Sequence, residues 1–241
     1  GTRSLVAYPG GDSFEITTLP ENTLTIMRFG KDGKSFTSDD IFVSFKGPNQ
    51  EGDVIEQIVD PETQLLIRLV THTKNITTDF SYDMTARTVT AVTGTSEFIS
   101  HFGPDDKPNT EDDILTDIFQ TDAQANRIHT VLDLVFKTLP ALVHDLTNNL
   151  KTTYTYDPAL NETTIQAQTQ DGLITQVMRW GNAVPLDGDD TFKTVTGPND
   201  QKQIVTTSFD TLERITEIFN ETTGTRSLVA YPGGDSFEIT T

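Results

Sequence analysis

GTRSLVAYPGGDSFEITT, read from Gly1 to Thr18, returns letter for letter from Gly224 to Thr241. An unbroken match of that length does not arise by chance, and it sets a period of 223 residues, the distance from Gly1 to Gly224. A fixed long period is the mark of repeat architecture, in which each unit buries its open face against its neighbours. The chain therefore reads as one period of a tandem array; the alternative is an end segment duplicated to complete a sheet edge. Because hydrophobic alternation fixes register, both copies are expected to form the same extended hairpin, centred on Pro9–Gly11 and on Pro232–Gly234.

A shorter period lies inside the long one. FGKDGKSFTSDDI from Phe29, FGPDDKPNTEDDI from Phe102 and WGNAVPLDGDDTF from Trp180 align, the last with one residue deleted after its glycine. Downstream the register holds: Asp60, Asp133 and Asp210 follow Asp40, Asp113 and Asp190 at equal distance, and Tyr82, Tyr156 and Tyr231 come later in corresponding places. Gly47-Pro48-Asn49 matches Gly197-Pro198-Asn199. The organisation read from this is a tail of a preceding unit (1–28), unit 1 (29–101), unit 2 (102–179) and a truncated unit 3 (180–241).

Each unit is a series of short alternating or apolar runs separated by Asp, Gly, Pro and Asn. In the first these are Ile41–Phe45, Val54–Val59, Leu65–Val70, Asp79–Tyr82, Thr88–Val92 and Glu97–Phe102. Such runs, rich in Thr, Val, Ile, Phe and Tyr, predict an all-β antiparallel meander of hairpins in tandem repeats. Arg127–Leu146 competes with this, because its apolar residues recur at helical spacing. Pro140 would break that helix, and the segment shares register with Val54–Leu69, so strands are expected there too.

Composition narrows the function classes. Asp and Glu number 36 against 17 Lys and Arg, a net charge of −19. Such a surface repels phosphate backbones and anionic lipid, so neither nucleic-acid binding nor membrane insertion is expected. The apolar stretch Leu134–Val143 is interrupted by Lys137 and Pro140 and is too short to span a bilayer as a helix. No secretory signal is recognisable, which a segment from inside a longer chain would lack in any case. With no cysteine there is neither a disulfide framework nor a thiolate zinc site, and metal ions are the remaining covalent-like staple.

The strongest chemical signal is acidic. Asp32 with Asp39 and Asp40, Asp105 with Asp112 and Asp113, and Asn182 with Asp187, Asp189 and Asp190 repeat one arrangement: an Asx residue, a turn, then adjacent carboxylates. Calcium needs six to eight oxygens from carboxylates and turn carbonyls, and clustered carboxylates repel one another without a cation, so calcium is the expected ligand of each turn. Asp32, Asp39 and Asp40, and likewise Asp105, Asp112 and Asp113, are expected to converge side by side on one oxygen-lined site. The simpler reading is that they are Asx turns capping strand ends.

Other motifs weaken on inspection. Gly30–Ser35 ends like a phosphate-binding loop, but Arg28 stands where its first glycine belongs and a strand-like run follows. Gly11-Asp12-Ser13-Phe14 is similar to an esterase nucleophile block, yet it lies in a hairpin. His72, His101, His129 and His144 have no ligand spacing. Phe29, Phe102 and Trp180 recur as core residues, and Asn75, Asn161 and Asn220 head glycosylation sequons. No catalytic constellation is read.

Phe209-Asp210-Thr211-Leu212-Glu213-Arg214-Ile215-Thr216 resembles the YD-repeat consensus Tyr-Asp-x-x-Gly-Arg-Leu-Thr, as do Tyr156–Thr164 and Tyr82-Asp83 with Thr88; Glu213 and Pro232 depart from it. The resemblance to the YD-repeat, or Rhs-like, group implies a large secreted or surface molecule whose hairpins wind into a spiral sheet. The expectation is then a calcium-stabilised structural segment of an extracellular or cell-surface protein: a fibre, sheath, stalk or adhesin stem. Its partners would be neighbouring repeats or identical chains, with any glycan or protein ligand unspecified. An Rhs-like shell around a toxin and a glycan-binding β-propeller are the alternatives.

Overall fold

The computed structural model describes residues 1–182, 184–233 and 236–241. The chain divides into two compact units, Gly1–Gln120 and Thr121–Thr241. The first contains β1 (Arg3–Gly10), β2 (Ser13–Leu19), β3 (Thr23–Arg28), β4 (Ile41–Pro48), β5 (Val54–Val59), β6 (Leu66–Thr71), β7 (Ile76–Asp83), β8 (Thr88–Thr93), β9 (Ser96–His101) and all but the last residue of β10 (Ile114–Thr121). The second contains β11 (Arg127–Leu132), β12 (Pro140–Asp145), β13 (Leu150–Asp157), β14 (Glu162–Thr169), β15 (Gly172–Arg179), β16 (Thr191–Pro198), β17 (Ile204–Phe209), β18 (Ile215–Asn220), β19 (Thr225–Gly233) and β20 (Ser236–Thr240). Within each unit every strand pairs antiparallel with its neighbour in chain order, so both are meanders.

The all-β meander of hairpins is what the alternation predicts, and Arg127–Leu146 is stranded. Asp133 explains its misleading spacing. Its carboxylate takes the N–H groups of Val135 and Phe136, at 2.8 Å each, and turns the chain between β11 and β12 before Pro140 opens the second strand. Proline has no N–H to give a ladder, and it is tolerated at a strand's first residue.

The units are thin. Among the described residues strands contact only chain neighbours, with no second layer within a unit. The accessible surface of 15025 Å² exceeds the about 12,900 Å² expected for two compact globular bodies of half the mass. Among the described residues Phe14 and Thr163 are fully buried, and Val59, Val89, Phe102, Leu132 and Trp180 nearly so. Turn chemistry therefore carries much of the local order.

That chemistry recurs. The β4–β5, β10–β11 and β16–β17 connections each close on an Asx residue: Asn49, Asp122 and Asn199 accept the N–H of Asp53, Asn126 and Gln203 at 2.9, 2.8 and 2.9 Å. Asp60, Asp133 and Asp210 cap the next turn. Two strands after that turn, Tyr82, Tyr156 and Tyr231 donate their hydroxyls to the carbonyls of Leu66, Pro140 and Ile215, at 2.5, 2.7 and 2.9 Å. The Tyr of each Tyr-Asp or Tyr-Pro pair thus ties its strand to the start of the strand beside it.

The duplicated hairpins share one register. In the first, Leu5, Val6 and Ala7 face Thr17, Ile16 and Glu15. In the second, Leu228, Val229 and Ala230 face Thr240, Ile239 and Glu238. The first hairpin turns at Gly11-Asp12 rather than at Pro9–Gly11, because a bulge between Ala7 and Gly10 absorbs Tyr8 and Pro9 into the strand. In the second, Gly234 and Asp235 lie outside the described residues.

Candidate functional site

Each acidic turn follows a strand whose pairing is bulged: between Ile26 and Met27 for β3 on β4, Leu115 and Asp117 for β10 on β9, and Val177 and Met178 for β15 on β16. A glycine follows at Gly30, Gly103 and Gly181. It must be glycine, because a Cβ there would stand 2.2, 2.3 and 2.6 Å from the carboxylate carbons of Asp39, Asp112 and Asp189. The chain then passes through a left-handed residue at Phe36 (φ 63°), Asn109 (φ 60°) and Leu186 (φ 60°) before the paired aspartates. One backbone path thus serves three different sequences.

The first turn gathers Asp32, Asp39 and Asp40 around a single hydroxyl. Thr37 Oγ1 lies 2.8 Å from Asp39 Oδ1, 3.3 Å from Asp32 Oδ1, 3.5 Å from Asp40 Oδ1 and 3.1 Å from the Lys34 carbonyl. The second turn gathers Asp105, Asp112 and Asp113 alike: Thr110 Oγ1 lies 2.6 Å from Asp112 Oδ1, 3.3 Å from Asp105 Oδ1, 3.4 Å from Asp113 Oδ1 and 3.1 Å from the Lys107 carbonyl. One hydroxyl carries one proton and can satisfy one of these oxygens. The closest takes it: the threonine bond, helped by backbone N–H groups, holds Asp39 and Asp112 below the usual carboxylate range. Each of these two turns thus draws its aspartates to a threonine that was not among the expected ligands, while the carboxylates themselves do not reach the mutual 4.8 Å spacing of a metal cluster.

The third turn changes the charge at the centre. Asp187 occupies the place of Thr37 and Thr110, and Asn182 that of Asp32 and Asp105. Asn182 Nδ2 donates to Asp187 Oδ2 at 2.8 Å and to Asp189 Oδ2 at 3.1 Å. Oxygens of Asp187, Asp189 and Asp190 lie within 4.8 Å of one another, the one such carboxylate cluster among the described residues. Hydrogen bonding with Asp189, then with Asn182, holds Asp187 low. Asp189 is pushed the other way, by its bond with Asp187, by burial and by repulsion from its neighbours. Asp190 Oδ2 accepts the Leu186 N–H at 2.6 Å, while its Oδ1 is buried without a hydrogen-bond partner. In the other turns the equivalent oxygens accept from Gly30 and Gly103, at 3.4 and 3.1 Å.

Other predicted features fall into ordinary places. Phe102 and Trp180 are buried, and Trp180 Nε1 donates to the buried Thr163 hydroxyl at 2.7 Å. Phe29 stacks on Phe14 at 5.4 Å between ring centres. His72 Nε2 pairs with Glu56 at 2.8 Å, and His144 Nε2 meets Asn149 Oδ1 at 3.2 Å. Gly11-Asp12 is a hairpin turn with Ser13 opening β2.

No family model matches the chain, and no curated protein matches it. Among solved structures it has a slight likeness to a porin-like protein from Bacteroides uniformis, 8% identical with a TM-score of 0.25, covering 99% of this chain and 92% of that one. A likeness of that size bears on neither fold nor function.

Proposed function

We propose that this chain is a structural repeat segment of a large extracellular or cell-surface protein, a fibre, sheath, stalk or adhesin stem, with calcium seated in its acidic turns. The observation that carries the reading is the recurrence itself. An eighteen-residue hairpin appears twice in the same register, and three diverged sequences close the β4–β5, β10–β11 and β16–β17 turns, and tie the tyrosines that follow, with the same hydrogen bonds. Selection for a catalytic centre would favour one distinctive site; recurrence of turns and ties favours a scaffold. The tyrosine ties fit a YD-repeat relationship, in which the aromatic residue ahead of the aspartate turn is structural. Calcium is supported by the carboxylate cluster of the third turn, whose oxygens lie within 4.8 Å of one another, and by the recurrence of an acidic set in the other two.

A chain of two periods, residues 1–223 followed by 1–241, tests the reading. An array lengthens by one period, so the maximum dimension in small-angle scattering should rise about twofold. A two-period chain no longer than the single one would count against a fibre or stalk and in favour of a closed shell.

A further inference from the structure

His129 and His144 stand far apart in sequence, and the β11–β12 hairpin sets them opposite each other. In the ladder His129 pairs with His144, flanked by the pairs Ile128 with Asp145 and Thr130 with Val143. Residues directly opposite in an antiparallel pair share a face, with Cβ atoms about 5 Å apart. The Leu146 N–H donates to the Arg127 carbonyl at 2.8 Å, so His129 and His144, two residues further along each strand, form the next hydrogen-bonded pair. Both residues are half-buried. His144 Nε2 meets Asn149 Oδ1 at 3.2 Å; the amide oxygen accepts, so Nε2 carries the proton and Nδ1 keeps its lone pair. On its other side His144 faces Lys151 of β13.

We propose that His129 and His144 together hold a nitrogen-seeking first-row transition ion, copper(II) or zinc, with water in the remaining positions. Two imidazole nitrogens on one such ion stand roughly 3.3 Å apart when each lies about 2.0 Å from the metal. Side chains about 5 Å apart at Cβ reach that span without disturbing the ladder. The Asn149 oxygen holds one ring from behind, the role an outer acceptor plays for a metal-bound histidine. Lys151, next in the row, decides which ions fit. Its ammonium repels any cation, so a hard ion held by charge alone gains little here, whereas copper and zinc bond to imidazole with covalent character. The hairpin carries none of the three acidic turns, so the site is separate from the calcium proposed there. The other two histidines have different neighbours: His72 pairs with Glu56, and His101 faces Thr88 and Ile114.

The tag-free chain, titrated with copper(II) in excess calcium, is expected to take up one ion whose electron paramagnetic resonance shows coupling to two nitrogens. The double variant His72→Gln with His101→Gln keeps only the proposed pair of histidines and should give the same spectrum and affinity. His129→Gln and His144→Gln should each weaken copper binding at least about tenfold. Lys151→Gln removes the neighbouring cation and should tighten it about threefold, a gain that a merely structural role for the row does not provide. Copper that calcium displaces, a spectrum without two nitrogens, or an affinity unmoved by His129→Gln or by His144→Gln overturns the proposal. Should those single variants not fold, the double variant His72→Gln with His101→Gln decides: two-nitrogen coupling retained there supports the pair, and its loss overturns it.

Discussion

Thr37, Thr110 and Asp187 occupy one position in three turns, and the difference between a hydroxyl and a carboxylate there decides what each turn needs. With threonine, a neutral donor sits among three anions and satisfies one of them. With Asp187 the centre is itself an anion, and Asn182 supplies the donor. The raised position of Asp189 gives the sign of the consequence. A carboxyl that binds its proton more tightly when folded adds stability below its unfolded value of about 4, and that contribution is lost as pH rises through the folded value. At neutral pH the ion-free turn is therefore left with uncompensated repulsion. Asp189→Asn keeps an oxygen and removes the charge, so it is expected to raise Tm slightly in chelator and to reduce the response of Tm to added calcium. A lower Tm in chelator, or an undiminished calcium response, would show that the cluster is not strained by its own charge.

The hairpin turns have the opposite pH sign. Asp60, Asp122, Asp145 and Asp210 are held below the usual range, chiefly by Thr63, Asn126, Asn148 and Arg214 respectively, with turn N–H groups adding to each. A lowered folded value contributes stability above the unfolded value of about 4 and loses it as pH falls through the folded one. Melting temperature should therefore drop steeply below about pH 4, and Asp60→Asn should make that drop shallower. An acid limb unchanged by the substitution would remove the turn caps as its cause. These same elements show what was readable beforehand. The strands were, because Ile41–Phe45, Val54–Val59 and Thr88–Val92 alternate over a thin sheet with turn residues at their ends. Arg127–Leu146 needed the repeat to overrule its spacing, since two strands about a capped turn can imitate a helical stripe. Asp122 escaped notice as the partner of Asn49 and Asn199 because its neighbours differ, although the backbone asks only for an Asx oxygen. Thr37 and Thr110 were hidden for a related reason: a search for ligands weighs carboxylates and passes over the neutral hydroxyl between them. The cover of Phe14 by Phe36 was beyond reach of periodicity, because a left-handed residue aims that ring.

For the whole molecule the governing quantity is a net charge of −19 spread over units with little buried core. High net charge opposes compact structure through self-repulsion, and a thin sheet has few buried contacts to offset it. Cations bound by the folded turns would relieve this, and an ion bound by the folded state alone stabilises it by mass action. Calcium should therefore raise Tm as a saturable function of its concentration, and chelation should lower it. General screening must be separated from binding. Sodium chloride at matched ionic strength weakens repulsion between exposed charges without occupying a site, and magnesium fits irregular oxygen clusters poorly because it demands near-ideal octahedral geometry. The expected order is calcium well above magnesium, with sodium smallest. Equal shifts from all three would assign the effect to screening, and a melting curve unmoved by excess chelator or by added calcium would end the case for structural calcium in these turns.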